Sequence, residues 1–222
     1  MLLFFGVVFF YPDTPLPTAW NPFAEFSASD PVTPITWRKI NRIRDDEVMC
    51  HAALDEMGAA FQKREDFTQG EICGIPQRLL MQSFATATIG PLESQCHIML
   101  RLALWERDVV QPAATALYAA QVEEIFTQGS YNCRTIRGAE DTPEALSEHA
   151  TANAVDITGV RLSTGQEISL EVDWGSGGRE DAFLKVLRDG GCNIFRATLG
   201  PDFNEAHKDH FHFDVGRYRV CR

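Results

Sequence analysis

Residues 207 to 214, HKDHFHFD, hold three histidines and two aspartates in eight positions. Imidazole nitrogens and carboxylate oxygens bind zinc and also move protons, so the stretch is a candidate for a metal site, an acid/base site or a histidine-rich surface strand. If HFHFD is a strand, alternation puts His210, His212 and Asp214 on one face. A second cluster lies upstream in SEHATANAVDI, with His149 in a lead-in loop and Asp156 inside the strand that follows, where Ala154 shares its side. Four of the six histidines fall in these two stretches. Two imidazoles and one carboxylate from separate elements make a three-ligand zinc site with an open position for water, the arrangement of catalytic rather than structural zinc. A metal-free hydrogen-bonded network of the same groups is the competing reading.

The elements that must carry these groups follow from periodicity and punctuation. ANAVDITGVRL and EISLEVDW alternate as paired strands around STGQ, and HFHFDVGRYRV alternates again. REDAFLKVLRDGG reads as a helix stopped by Gly190 or Gly191. Upstream, DDEVMCHAALDEMGAAFQ predicts a helix with Val48, Ala52, Leu54 and Met57 near a 3.6 period, and GEICGIPQRLLMQS a turn and short strand. In ESQCHIMLRLALWERDVVQPAATAL, Ile98, Leu102, Trp105 and Val109 form the stripe of an amphipathic helix that Pro112 kinks or ends. VEEIFTQGSYNCR is strand-like and GAEDTPEAL a loop. His51 and His97 lie on the two helices and read as surface or core histidines. This order predicts an α+β fold, a small antiparallel sheet carrying the metal site with helices flanking it.

Composition bounds the rest. A chain of 222 residues, 45% hydrophobic with 15 phenylalanines, buries one good-sized core. A net charge of −11 excludes an electrostatic grip on nucleic acid or an anionic membrane surface. Six dispersed cysteines with no CxxC pair argue against a thiolate zinc site and suit three disulfides in an oxidising compartment. Residues 1–11 contain the apolar run LLFFGVVFFY, too short to span a bilayer and read as the remnant of a membrane anchor. Residues 12–35 are a Pro-rich linker or a segment laid over the surface, which leaves 36–222 as the domain.

The spacing S-x-H-x-x-x-x-A-x-D at Ser147, His149, Ala154 and Asp156, followed by H-x-D-H-x-H at His207, Asp209, His210 and His212, resembles the zinc D-Ala-D-Ala carboxypeptidase and LAS-type peptidoglycan peptidase superfamily. More narrowly, WNPFAEF, ITWRKINRI, CGIPQRL, LWERDVVQPAA, GSYNCR, SEHATANAVDI and LGPDFNEAHKDHFHFDVG occur in the order shown by bacterial extensin-like C-terminal domain proteins. The resemblance implies Zn2+ held by His149, Asp156 and His212, with Asp209 or His210 as general base and His207 lining the site. Arg134 matches an arginine that faces the substrate's carboxylate or carbonyl, with Arg137 as the second choice. It implies hydrolysis of peptide bonds in peptidoglycan stem peptides, as a carboxypeptidase or an endopeptidase, in the periplasm, with an attachment to the inner membrane.

Two departures stand out. Ala152 occupies a position where the superfamily commonly has glycine, and SYNCR replaces its usual Gly-Tyr-Arg arrangement. Both favour the alternative function, a cell-wall-binding module that keeps the zinc site without turnover.

Overall fold

The computed structural model describes residues 14–136 and 145–222. The apolar run at 2–11 and Arg137 lie outside the described residues. Two helices, α1 (Thr36–Arg42) and α2 (Glu47–Glu56), lead into strands β1 (Ala60–Lys63), β2 (Phe67–Gln69), β3 (Cys73–Ile75), β4 (Arg78–Ser83) and β5 (Thr88–Gln95). Helix α3 (Cys96–Trp105) continues through a wider turn at Glu106–Val110 into α4 (Gln111–Tyr118). Then come β6 (Val122–Gly129), β7 (Ala154–Leu162), β8 (Glu167–Ser169), α5 (Leu170–Asp173), α6 (Arg179–Ile194), β9 (Ala197–Leu199), β10 (Phe211–Asp214) and β11 (Val220–Cys221).

The fold is α+β, but its sheet is neither small nor purely antiparallel. Nine of the described strands share one sheet in the order β1-β4-β5-β6-β7-β10-β9-β11, with β8 paired to β7. Two pairs are parallel, β5 with β6 and β9 with β11. Strands β2 and β3 form a separate hairpin.

Strand β10 shows how the sheet divides core from cleft. Phe211 and Phe213 are fully buried, with Phe213 against Trp105 and Phe195. His212 and Asp214 alternate to the opposite face and line an open cleft. The fifty-odd residues between the two histidine-bearing stretches return β10 antiparallel to β7, and His212 is the register partner of Asp156.

Several local expectations change for physical reasons. The segment from 45 to 62 is a helix and then a strand, and its buried residues are Cys50, Ala53 and Leu54, while Val48 is 79% exposed. A disulfide from Cys50 to Cys96 turns that cysteine inward and sets the buried stripe. Helix α3 is buried on all sides rather than amphipathic. Pro112 does not end the helical run: it follows the wider turn at Glu106–Val110, where the Gln111 N–H bonds back to Glu106 O and the regular i to i−4 ladder is already interrupted. EISLEVDW is strand only to Ser169.

Glycines 190 and 191 do not end α6, which runs to Ile194. A Cβ at Gly190 would lie 2.3 Å from Val109 Cγ1, and one at Gly191 2.8 Å from Phe213 Cε1. These glycines let the helix approach α3's extension and the sheet.

Three disulfides staple the domain: Cys50–Cys96, Cys73–Cys133 and Cys192–Cys221. The Pro-rich segment, where described, lies over the surface and is held by side chains of the domain. Lys39 Nζ donates to Thr18 O at 2.6 Å and Arg42 to Pro22 O at 2.6 Å. No helix among the described residues is long and apolar enough to cross a membrane.

Candidate metal centre

His149 is positioned by one tightly capped turn. Ser147 accepts the His149 N–H, the chain makes a single 3-10 turn over Glu148–Thr151, and Ala152 closes it at φ 51° before β7 begins. That left-handed conformation favours glycine. The Ala152 side chain is wholly buried there. Its amide reaches back to His149 O at 3.1 Å, so the turn keeps its hydrogen bonds despite the Cβ.

Three ligand atoms converge from this turn, β7 and β10. His149 Nε2 lies 3.0 Å from His212 Nδ1 and 3.2 Å from Asp156 Oδ1, and His212 Nδ1 lies 3.1 Å from the same oxygen. These three residues could hold a metal ion.

The outward nitrogens are pinned. His149 Nδ1 donates to Ser130 O at 2.8 Å, since a carbonyl can only accept. His212 Nε2 donates to Asp214 Oδ2 at 3.0 Å, and Asp214 Oδ1 accepts the Gly216 amide at 2.8 Å. Each imidazole therefore has its N–H committed outward, and His149 turns a lone pair toward the centre. Outer acceptors of this kind orient metal-ligating histidines.

A proton on His212 Nδ1 can bridge to His149 Nε2 and Asp156 Oδ1. Burial works against this charge, but hydrogen bonds to Asp156 and Asp214 outweigh it and push His212 up to about 9. Burial likewise raises Asp156, and the close approach of the His149 and His212 imidazoles overcomes that and holds its carboxyl well below the usual range.

His210 immediately precedes β10 and faces the same centre, its Nε2 3.7 Å from Asp156 Oδ1. Its Nδ1 donates to Asp209 Oδ1 at 2.8 Å. That bond is the main cause of Asp209's lowered pKa. Asp209 thus contacts His210, not the ligand triangle. His207 packs on His210 and His212 at ring distances of 5.4 and 5.7 Å, with Nδ1 donating to Asn204 Oδ1 at 2.6 Å. Burial first, and then its histidine neighbours, push His207 down to about 4.

Arg134 lines the same cleft, about 680 Å3, as His149, Asp156, His207, His210, His212 and Asp214. The structure therefore brings together His149, Asp156, His212, His210, His207 and Arg134, with Asp209 behind His210. Sequence reasoning missed the acceptor role of Asp214, although strand alternation had already placed it on the face of His212. It also missed Ser130, whose backbone carbonyl carries no side-chain signal. His51 and His97 stay outside the site: His51 pairs with Glu47 at 3.8 Å, and His97 is buried with Nε2 3.1 Å from Gln95 Oε1.

A family model described as Extensin-like protein C-terminus matches residues 48–222. No curated protein and no solved structure matches the chain.

Proposed function

The chain belongs to the extensin-like C-terminus family, and on that premise we propose that it is a zinc-dependent hydrolase of peptide bonds in cell-wall peptidoglycan, acting in the periplasm. The observation that carries this reading is the convergence of His149 Nε2, His212 Nδ1 and Asp156 Oδ1 with both outward N–H groups already bonded. Ligands at roughly 2.0–2.1 Å around a tetrahedral zinc stand roughly 3.3–3.4 Å apart. The edges of 3.0, 3.1 and 3.2 Å are within a few tenths of an ångström of that triangle. Two imidazoles and one carboxylate are also the donor set of catalytic zinc, which leaves a position open.

His149, Asp156 and His212 would hold the zinc, which would supply Lewis-acid chemistry toward a carbonyl and water near neutral pH. The chain's own groups do the rest. His210, its Nδ1–H held by Asp209, keeps Nε2 for a proton on the cleft side, so His210 is the base and Asp209 positions it. His207, kept neutral by burial, borders the same space. Arg134 offers a planar fork to a substrate carboxylate or carbonyl. The three disulfides suit an oxidising compartment.

The test is digestion of purified cell wall by the zinc-loaded chain beside His212→Ala and His210→Ala. The expected result is one zinc per wild-type chain, lost in His212→Ala, and new peptide fragments from wild type that His210→Ala does not release. Wall binding without new fragments would replace the hydrolase with a binding module. Folded protein that takes no zinc would remove both.

A further inference from the structure

A second cleft, of about 480 Å3, opens beside the first and shares Gly129 and Tyr131 with it. Its origin is a parting of strands. β5 and β6 pair only at Thr88↔Glu124 and Ile89↔Ile125 among the described residues. Two residues later Pro91 has no N–H to extend the ladder, while β6 continues along β7 to Gly129, the register partner of Asp156. The two strands meet again where the Ser94 and Ser130 hydroxyls lie 2.7 Å apart, and the unpaired stretch before that bridge borders the second cleft.

Its far wall is the β2–β3 hairpin. Phe67 meets Tyr131 edge to face at 5.3 Å, the Tyr131 hydroxyl donates to Gln69 Oε1 at 2.8 Å, and the Cys73–Cys133 disulfide ties hairpin to loop. The junction of the two clefts is Gly129, with φ 107° and no atom within 4 Å of where a Cβ would stand. The backbone conformation calls for glycine there, and the bare Cα leaves the passage clear.

From this continuity we infer that the protein acts on branched, cross-linked peptides, the second arm of the substrate lying in the cleft between β5 and β6. The inference rests on the peptidase reading above and selects endopeptidase over carboxypeptidase. A cleft of about 680 Å3 with Arg134 in its wall holds a short peptide end by itself; a neighbouring groove that joins it at Gly129 is of use only to a substrate that continues. The lining fits a peptide arm. Leu80 and Pro91 offer aliphatic surface above the buried Ile75 and Leu92, and the Arg78–Glu93 pair, 2.5 Å apart and partly exposed, offers both signs of charge to an alkyl chain that ends in ammonium and carboxylate. A sugar strand fits less well, because Arg78 covers the Phe67 ring and Phe67 and Tyr131 are engaged with each other. The reaction is hydrolysis: water adds across the cross-linking amide, its C–N bond breaks, and one carboxylate and one amine leave with no redox partner.

The experiment measures equilibrium binding of a synthetic cross-linked stem-peptide dimer and of its uncross-linked monomer to the zinc-loaded full chain carrying His210→Ala. The dimer is expected to bind about tenfold more tightly, and adding Phe67→Ala should bring the two affinities together. Phe67 is 36% exposed on a three-residue strand, and an unchanged zinc content and melting temperature confirm that its truncation leaves the fold intact. Equal affinities before the Phe67 change would overturn the inference, as would a tenfold preference that survives it. The two readings fail separately: a wild-type chain that cleaves the monomer with equal affinities keeps the peptidase and loses the second-arm site. A chain that prefers the dimer but cleaves neither keeps the site and loses the hydrolase.

Discussion

Asp214 accepts the Nε2–H of His212 on one carboxylate oxygen and the Gly216 amide on the other, at 3.0 and 2.8 Å. It fixes which nitrogen of His212 faces the cleft, although it is not one of the three converging ligands. In Asp214→Asn the amide oxygen stays with the Gly216 N–H and the NH2 group meets Nε2. The imidazole then moves its proton to Nδ1 and loses the lone pair on the metal side. Zinc affinity should fall about 10- to 100-fold with little change in fold, read by competition with a chromophoric chelator. An unchanged affinity would show that Asp214 does not set the tautomer.

The same histidine makes metal binding and metal-free stability respond oppositely to pH. Folding raises His212 from an ordinary 6.5 to about 9. A group raised in this way contributes stability that is fully present below about pH 6.5 and lost as pH climbs through about 9. The metal-free chain should therefore melt at progressively lower temperature across that interval. Zinc must displace the His212 Nδ1 proton, so its affinity should rise over the same interval, with protons released on binding. Melting curves with and without zinc, at several pH values, check both slopes; parallel slopes would refute a shared proton at the centre.

Gly190→Ala and Gly191→Ala test why α6 runs past its glycines. Propensity alone predicts a gain of about 1 kcal/mol for each in a helix interior. The new methyl groups would instead press on Val109 Cγ1 at 2.3 Å and Phe213 Cε1 at 2.8 Å. Both should destabilise, by about 1 to 3 kcal/mol, in chemical denaturation. Stabilisation would mean that propensity outweighs the close approach.

Those glycines also show what the sequence could and could not reveal. HFHFD was legible because alternation is local, and one period-two rule separates Phe211 and Phe213 from His212 and Asp214. The helix end was not, because the reason for Gly190 is Val109, a residue distant in the chain. The sheet's size was hidden likewise. The parallel pairs β5/β6 and β9/β11 are short and join segments that no hairpin signal connects. Individual ligand residues carried chemical types that pointed to the site, whereas Ser130 contributes a backbone oxygen that any residue would supply.

The Cys73–Cys133 disulfide supports the wall of the cleft rather than the His149–Asp156–His212 triangle. It joins β3 to the residue before Arg134 and closes a separation of 60 residues. Chain entropy for a loop of that length gives about 4 kcal/mol of stabilisation, so Cys73→Ala with Cys133→Ala should lower stability by a few kcal/mol. The ligands sit elsewhere, on the capped turn, β7 and β10, so zinc content should not change below the melting temperature. Arg134 and Tyr131 lose the covalent tie of their segment to the hairpin and keep only hydrogen bonds such as Ser147 N–H to Arg134 O and Tyr131 to Gln69, which predicts a raised KM for peptide with a smaller change in kcat. Loss of zinc in the double variant would instead make this disulfide part of the metal centre's own support, and an unchanged KM would detach Arg134 from substrate binding.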